Sequence, residues 1–138
     1  MKDASTALRT AYYNLLTATL DVEVYDAAAD DLEGGNYVVL SSQTSNMDSS
    51  KDSFEYEHTI IVDVVTRFKG KAIGKKTAET ISNQIMQAVH PTPTTSGLTI
   101  TGFRIISTDV ESTDLIRQFG EERIVRKLLT FTHLIAES

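Results

Sequence analysis

Residues 53–68 read SFEYEHTIIVDVVTRF, and their reading decides the fold. Taking every second position places Phe54, Tyr56, His58, Ile60, Val62, Val64, Thr66 and Phe68 on one side, and Glu55, Glu57, Thr59, Ile61, Asp63, Val65 and Arg67 on the other. A period of two is the mark of a β-strand with one face turned to a core. At roughly 3.3 Å per residue such a strand spans about 50 Å, more than the roughly 35–40 Å across expected of a compact domain of this chain length. Either a bulge or loop breaks it, or one end projects and needs a partner for its backbone groups. A neighbouring copy is the obvious supplier.

Downstream, the basic turn Lys69-Gly70-Lys71 leads into a run to Val89 with Ile73, Thr77, Ala78, Ile81, Ile85, Ala88 and Val89 at helical spacing, and His90-Pro91 stops it. Upstream, Asp3 to Leu20 carries Leu8, Ala11, Tyr12, Leu15 and Leu16 three and four apart, an amphipathic helix with Asp3 or Ser5 near its start. Val22 to Tyr25 is short and β-rich, Asp26 to Gly35 is an acidic loop, and Tyr37 to Leu40 reads as a buried strand. Residues 41–52 (SSQTSNMDSSKD) are polar and unpatterned, which predicts a surface loop of the length that is usually functional or mobile.

Past the second helix, residues 91–97 (PTPTTSG) read as a linker and Leu98 to Ile100 as the opening of a strand. Gly102 permits a bend, Phe103 to Glu111 is β-patterned, Ser112 to Gly120 is a turn or long loop, and Glu121 to Leu134 closes the chain as a strand. The order α-β-β-β-α-β-β predicts an α+β fold, a mostly antiparallel (mixed) β-sheet with two helices packed on one face, in a single domain over 1–138. The last strands carry apolar residues on both faces: Phe103 and Ile105 against Ile106 and Val110, then Leu129 and Phe131 against Leu128 and Leu134. Two helices cannot cover both sides, so the uncovered side is expected to be an interface.

Composition narrows the function. The 138 residues are 41% hydrophobic and 23% charged, which fits a globular domain with a modest core. The apolar cluster Ile60 to Val65 is interrupted by Asp63 and is far short of a membrane span, and no apolar segment follows Lys2 as a secretory leader would require. Synthesis in a cytoplasm is expected. The absence of cysteine excludes disulfides and thiolate metal sites. A net charge of −6 argues against a protein that grips nucleic acid by neutralising phosphates.

Chemistry-bearing patterns are sparse. His58 and His133 lie in β-runs that could neighbour each other, but there is no HExxH motif and no histidine pair at i, i+4. His90 reads as a helix C-terminal residue. Asp63, in the middle of an apolar run, is either a general base or an interface charge paired with Arg67, Arg126 or Lys127; without a nucleophile or oxyanion motif the pairing is favoured. A small enzyme or ligand-binding domain using Asp63 and His58 is the alternative of another class. No cofactor is expected.

The segments ALRTAYYNLLTA, VEVYDAAADD, NYVVL and KDSFEYEHTIIVDVVTRFKGKAIGKKTAETISNQIMQAVH, with the closing β-runs, resemble the tail terminator, or tail-completion, proteins of long-tailed bacteriophages and gene transfer agents. The telling positions are Val24-Tyr25-Asp26, Tyr37-Val38-Val39, Lys51-Asp52 before the long strand, and Arg67 with Gly70 before a helix holding Ala78 and Ile81. The resemblance implies a non-enzymatic virion protein, a homo-oligomeric and generally hexameric ring at the head-proximal end of the tail tube. Such a ring stops tube polymerisation and contacts the neck or connector, and DNA passes through its channel without sequence-specific binding. Another neck or head-completion role is the nearer alternative. Under this reading Asp26, Asp30, Asp31, Glu33, Lys69 and Lys71 are candidate inter-subunit or neck contacts. The 41–52 loop, with Met47, Lys51 and Asp52, is a candidate for ordering against the tube or a neighbour. Ile61, Asp63, Val65 and Arg67 form the second face of the long strand and are candidates for self-assembly.

Overall fold

The computed structural model describes residues 2–26, 36–47, 54–69, 75–119 and 122–137. Its elements are α1 (Ser5–Thr19), β1 (Glu23–Tyr25), β2 (Tyr37–Met47), β3 (Glu55–Lys69), α2 (Lys75–Val89), β4 (Phe103–Phe119) and β5 (Glu122–Glu137). They form one mixed sheet in the order β1-β2-β3-β5-β4, antiparallel except for the short β1/β2 pair. This is the expected α+β arrangement.

The alternation in β3 sets the layers. Tyr56, His58, Ile60, Val62, Val64 and Thr66 are all buried, on the side where α1 contributes Leu8, Tyr12 and Leu16, and α2 contributes Ile81, Ile85 and Val89. Leu129, Phe131 and Ile135 of β5 and Val38 and Leu40 of β2 extend the same core. Full burial of side chains this size stabilises by about 1.5–3 kcal/mol each relative to exposure. β3 runs its 15 residues without a break, and the irregularities fall in its neighbours: one register shift in β2 between Leu40 and Gln43, one in β4 between Ile105 and Ser107.

Three sequence expectations are corrected. Residues 41–47 are not loop but the second half of β2, paired with β3 from Gln43↔Ile60 to Met47↔Tyr56; residues 48–52 lie outside the described residues. Residues 112–119 likewise continue β4 in register with β5, from Ser112↔Leu129 to Phe119↔Glu122. Both stretches lack a hydrophobic alternation because they lie along open sheet edges, where neither face has to be apolar. Residues 98–100 form no ladder; Leu98 and Ile100 are buried, and Gly102 at φ 84° makes the turn into β4.

The shift in β2 has a specific support. Arg9 of α1 donates from Nη2 to the carbonyls of Leu40 (2.6 Å) and Ser41 (3.1 Å) and from Nε to the Asp26 carboxylate (2.5 Å), while Gln43 Nε2 donates to the Ser5 carbonyl (3.0 Å). Two carbonyls at the irregularity thereby gain a side-chain donor. At the other end of the helical layer the supposed linker folds back: Gly97 N–H (3.0 Å) and Ser96 Oγ (3.3 Å) both donate to the Val89 carbonyl at the end of α2. A Cβ on Gly97 would lie 1.8 Å from the Ala88 carbonyl oxygen.

In the centre of the core, β3 and β5 set His58 opposite His133. The Tyr12 hydroxyl meets His133 Nε2 and Thr108 Oγ1 lies 2.9 Å from Nδ1, with the Phe131 ring parallel at 2°. Burial raises the Tyr12 pKa and keeps its phenol protonated, and the two contacts occupy both nitrogens of the imidazole. Burial first, then His58 and His90, lower the His133 pKa from 6.5 to about 4, and burial lowers that of His58 against the opposing pull of Asp3.

Because the folded state holds His133 neutral to lower pH than the unfolded chain does, its contribution is fully present above about pH 6.5 and is lost as pH falls toward 4. Unfolding free energies from urea denaturation are expected to drop across that window by up to about 3 kcal/mol, and His133→Phe to flatten most of the dependence. Gly97→Ala is expected to lower stability by about 1–3 kcal/mol, measured by the same denaturation, because the clash is with backbone and no rotamer relieves it.

Candidate assembly surfaces

The sheet face away from the helices is built by the odd-numbered positions of β3. Asp63 and Val65 are buried there beside Val39, and Ile61 and Arg67 are half-buried. Asp63 receives both Nε (3.3 Å) and Nη2 of Arg126, one of the three partners the sequence offered, and this bond raises the Arg126 pKa. The Arg67 guanidinium lies 5.9 Å from the centre of the Tyr37 ring, and Tyr25 meets Tyr37 edge-on at 5.9 Å. An aspartate so held is a fixed anchor for a guanidinium between the apolar neighbours Ile61 and Val65.

His58 points into the core beneath the helices, whereas Asp63, five positions on, faces the other way. A site using both is therefore not assembled, and among the described residues no three histidine or acidic side chains converge to hold a metal. An open depression of about 490 Å³ between α1 and β1 is lined by Thr6, Arg9, Thr10, Tyr13, Val24, Tyr25 and Asp26. Its two charged groups, Arg9 and Asp26, are already spent on each other.

The remaining candidates are scattered. Asp26 is exposed at the end of β1 and bound to Arg9. Met47 is exposed at the end of β2, and Lys69 ends β3 opposite Glu122. Asp30, Asp31, Glu33, Lys51, Asp52 and Lys71 lie outside the described residues. What the sequence reading did not single out is Arg9, whose acceptors exist only once β2 bulges beside α1, and the open edge of β4, although it named Ile106 and Val110 of that strand as an uncovered surface. Among the described residues that strand pairs only with β5, and it leaves Ile106, Val110, Leu115 and Ile116 between 39% and 59% exposed. The expected opposition of Ile105 to Val110 is corrected: the shift between Ile105 and Ser107 sets Val110 beside Phe131, on the same face as Ile105 beside Ile135 but beyond the reach of the helices.

Asp63→Ala should leave the guanidinium of Arg126, about a third exposed, without its partner and cost about 1–3 kcal/mol in denaturant unfolding. Adding Arg126→Met should recover part of that loss; a double variant as unstable as the sum of two independent losses would show that the pair is not coupled.

No curated protein sequence matches the chain. Among solved structures, a chain of "Virion of native gene transfer agent (GTA) particle" is similar in fold, with a TM-score of 0.70 and 21% identity over 99% of this chain and 100% of that one. Residues 6–136, nearly the whole length, match the family described as tail completion protein gp17. The chain belongs to that tail completion family.

Proposed function

We propose that this tail structural protein forms a ring, generally hexameric, that caps the head-proximal end of a tail tube, stops tube growth and joins the tail to the neck or connector proteins. The observation that carries the reading is a sheet that runs out past its helical cover. β4 is 17 residues long, borders β5 alone among the described residues, and leaves large apolar side chains in solvent. Monomeric proteins shorten or shield such edges, whereas subunits of an assembly keep them for a neighbour. Family membership supports a place in the virion, and the similar fold of a chain from a gene transfer agent particle agrees with it.

The net charge of −6 suits a channel that DNA traverses without being held. The protein's own residues then do mechanical work: β3 and β5 provide a stiff frame, and the helix-free face and sheet edges provide the contacts. No reaction is needed for this role.

Added to polymerising tube protein, the purified chain is expected to shorten the tube-length distribution and to appear by electron microscopy as a ring at one end only. Deleting its gene should give tubes of uncontrolled length that fail to join heads. Finding the protein on tailless heads, with tube length unchanged by its deletion, would instead assign it to head completion.

A further inference from the structure

We infer that neighbouring copies join edge to edge, the first half of β4 of one copy adding as a strand beside residues 42–47 of β2 in the next. This rests on the ring reading and names the contact that closes it. Both edges are open among the described residues. β1 pairs with β2 only at Tyr37, Val38 and Val39, so beyond the bulge the outer side of β2 has no strand, and β4 has none on its outer side. The carbonyls of Leu40 and Ser41 are taken by Arg9, which leaves 42–47 as the free stretch.

Topology favours this partner over the others. The two edges lie on opposite sides of one sheet, so joining them is a head-to-tail contact of the kind that generates rings. β2 and β4 run in opposite directions within the sheet, β2 being antiparallel to β3, β3 to β5 and β5 to β4. A copy placed head to tail therefore brings them together antiparallel, continuing the pattern already present. β1 blocks the first part of β2, which confines the joint to the first half of β4.

Side chains match at that height. Met47 aligns through Tyr56 and Ile135 with Ile105, and the bulge at that point turns Ile106 outward. Ile106 (46% exposed) would thus meet Met47 (50%) of the next copy, with Phe54 (44%) nearby, while Val110 (39%), level with Gln43 through Phe131 and Ile60, would cover the start of the free stretch. Charge agrees: residues 42–47 (SQTSNM) carry none, while β4 gathers Asp109, Glu111 and Asp114 in its middle, with Arg104 and Arg117 toward its ends. Two-fold pairing of β4 with β4 would set these acids against each other; the β2 edge offers them no repulsion.

The chain has no cysteine, so single thiols report the contact cleanly. Thr44→Cys and Asp109→Cys, both at exposed and equally high positions, are mixed under ring-forming conditions or on tube ends and treated with a short bismaleimide. Cross-linked dimers are expected only in the mixture, and the double variant should give a ladder ending at the ring size. Ile106→Glu with Val110→Glu should reduce assembly at least tenfold with the melting temperature unchanged. Rings seen by microscopy without a 44–109 cross-link, or Asp109→Cys linking to itself, would overturn the edge contact and leave the ring. Absence of both rings and cross-links, on tube ends as well, would overturn the two together.

Discussion

A strand of 15 residues at the centre of a sheet imposes one constraint on everything around it. All its backbone groups must be paired on both sides, and its apolar face must be roofed along the same length. β2 and β5 supply the first condition, α1 and α2 the second. Two helices of 15 residues are each about 22 Å long, less than half the extent of the strand. Lying against β3, β5 and β2, they leave the far strand β4 outside their cover.

The polar groups inside this frame are arranged to preserve strand continuity. Arg9 donates to two carbonyls where β2 bulges, Tyr12 and Thr108 take up both nitrogens of His133, and Arg126 neutralises Asp63 on the opposite face. Each of these bonds joins separate elements, and the Tyr12–His133–Thr108 relay reaches from α1 across β5 to β4. The edge strand is thus fastened to the core although it lies outside the helical layer.

Charge is organised in the same economical way. The acidic balance of the chain is carried by exposed residues such as Glu57, Asp109 and Glu111, while Arg9 and Arg126 are occupied with fixed acceptors.

The sequence by itself determined the two helices, the central strand with its buried face, the element order and the family, because these rest on local periodicity and on patterns that residues carry without their neighbours. It also narrowed the partner of Asp63 to three basic residues. It did not determine that 41–47 and 112–119 are strand, since an open edge imposes no alternation and its polar residues look like loop. Nor could it separate His58 and Asp63 into unrelated surroundings except through strand parity, or foresee Arg9, whose acceptors appear only when a bulge meets a helix. The tertiary structure decided those points, and with them where the chain is unfinished: register is a property of paired strands, and an edge is defined only by the neighbour it lacks.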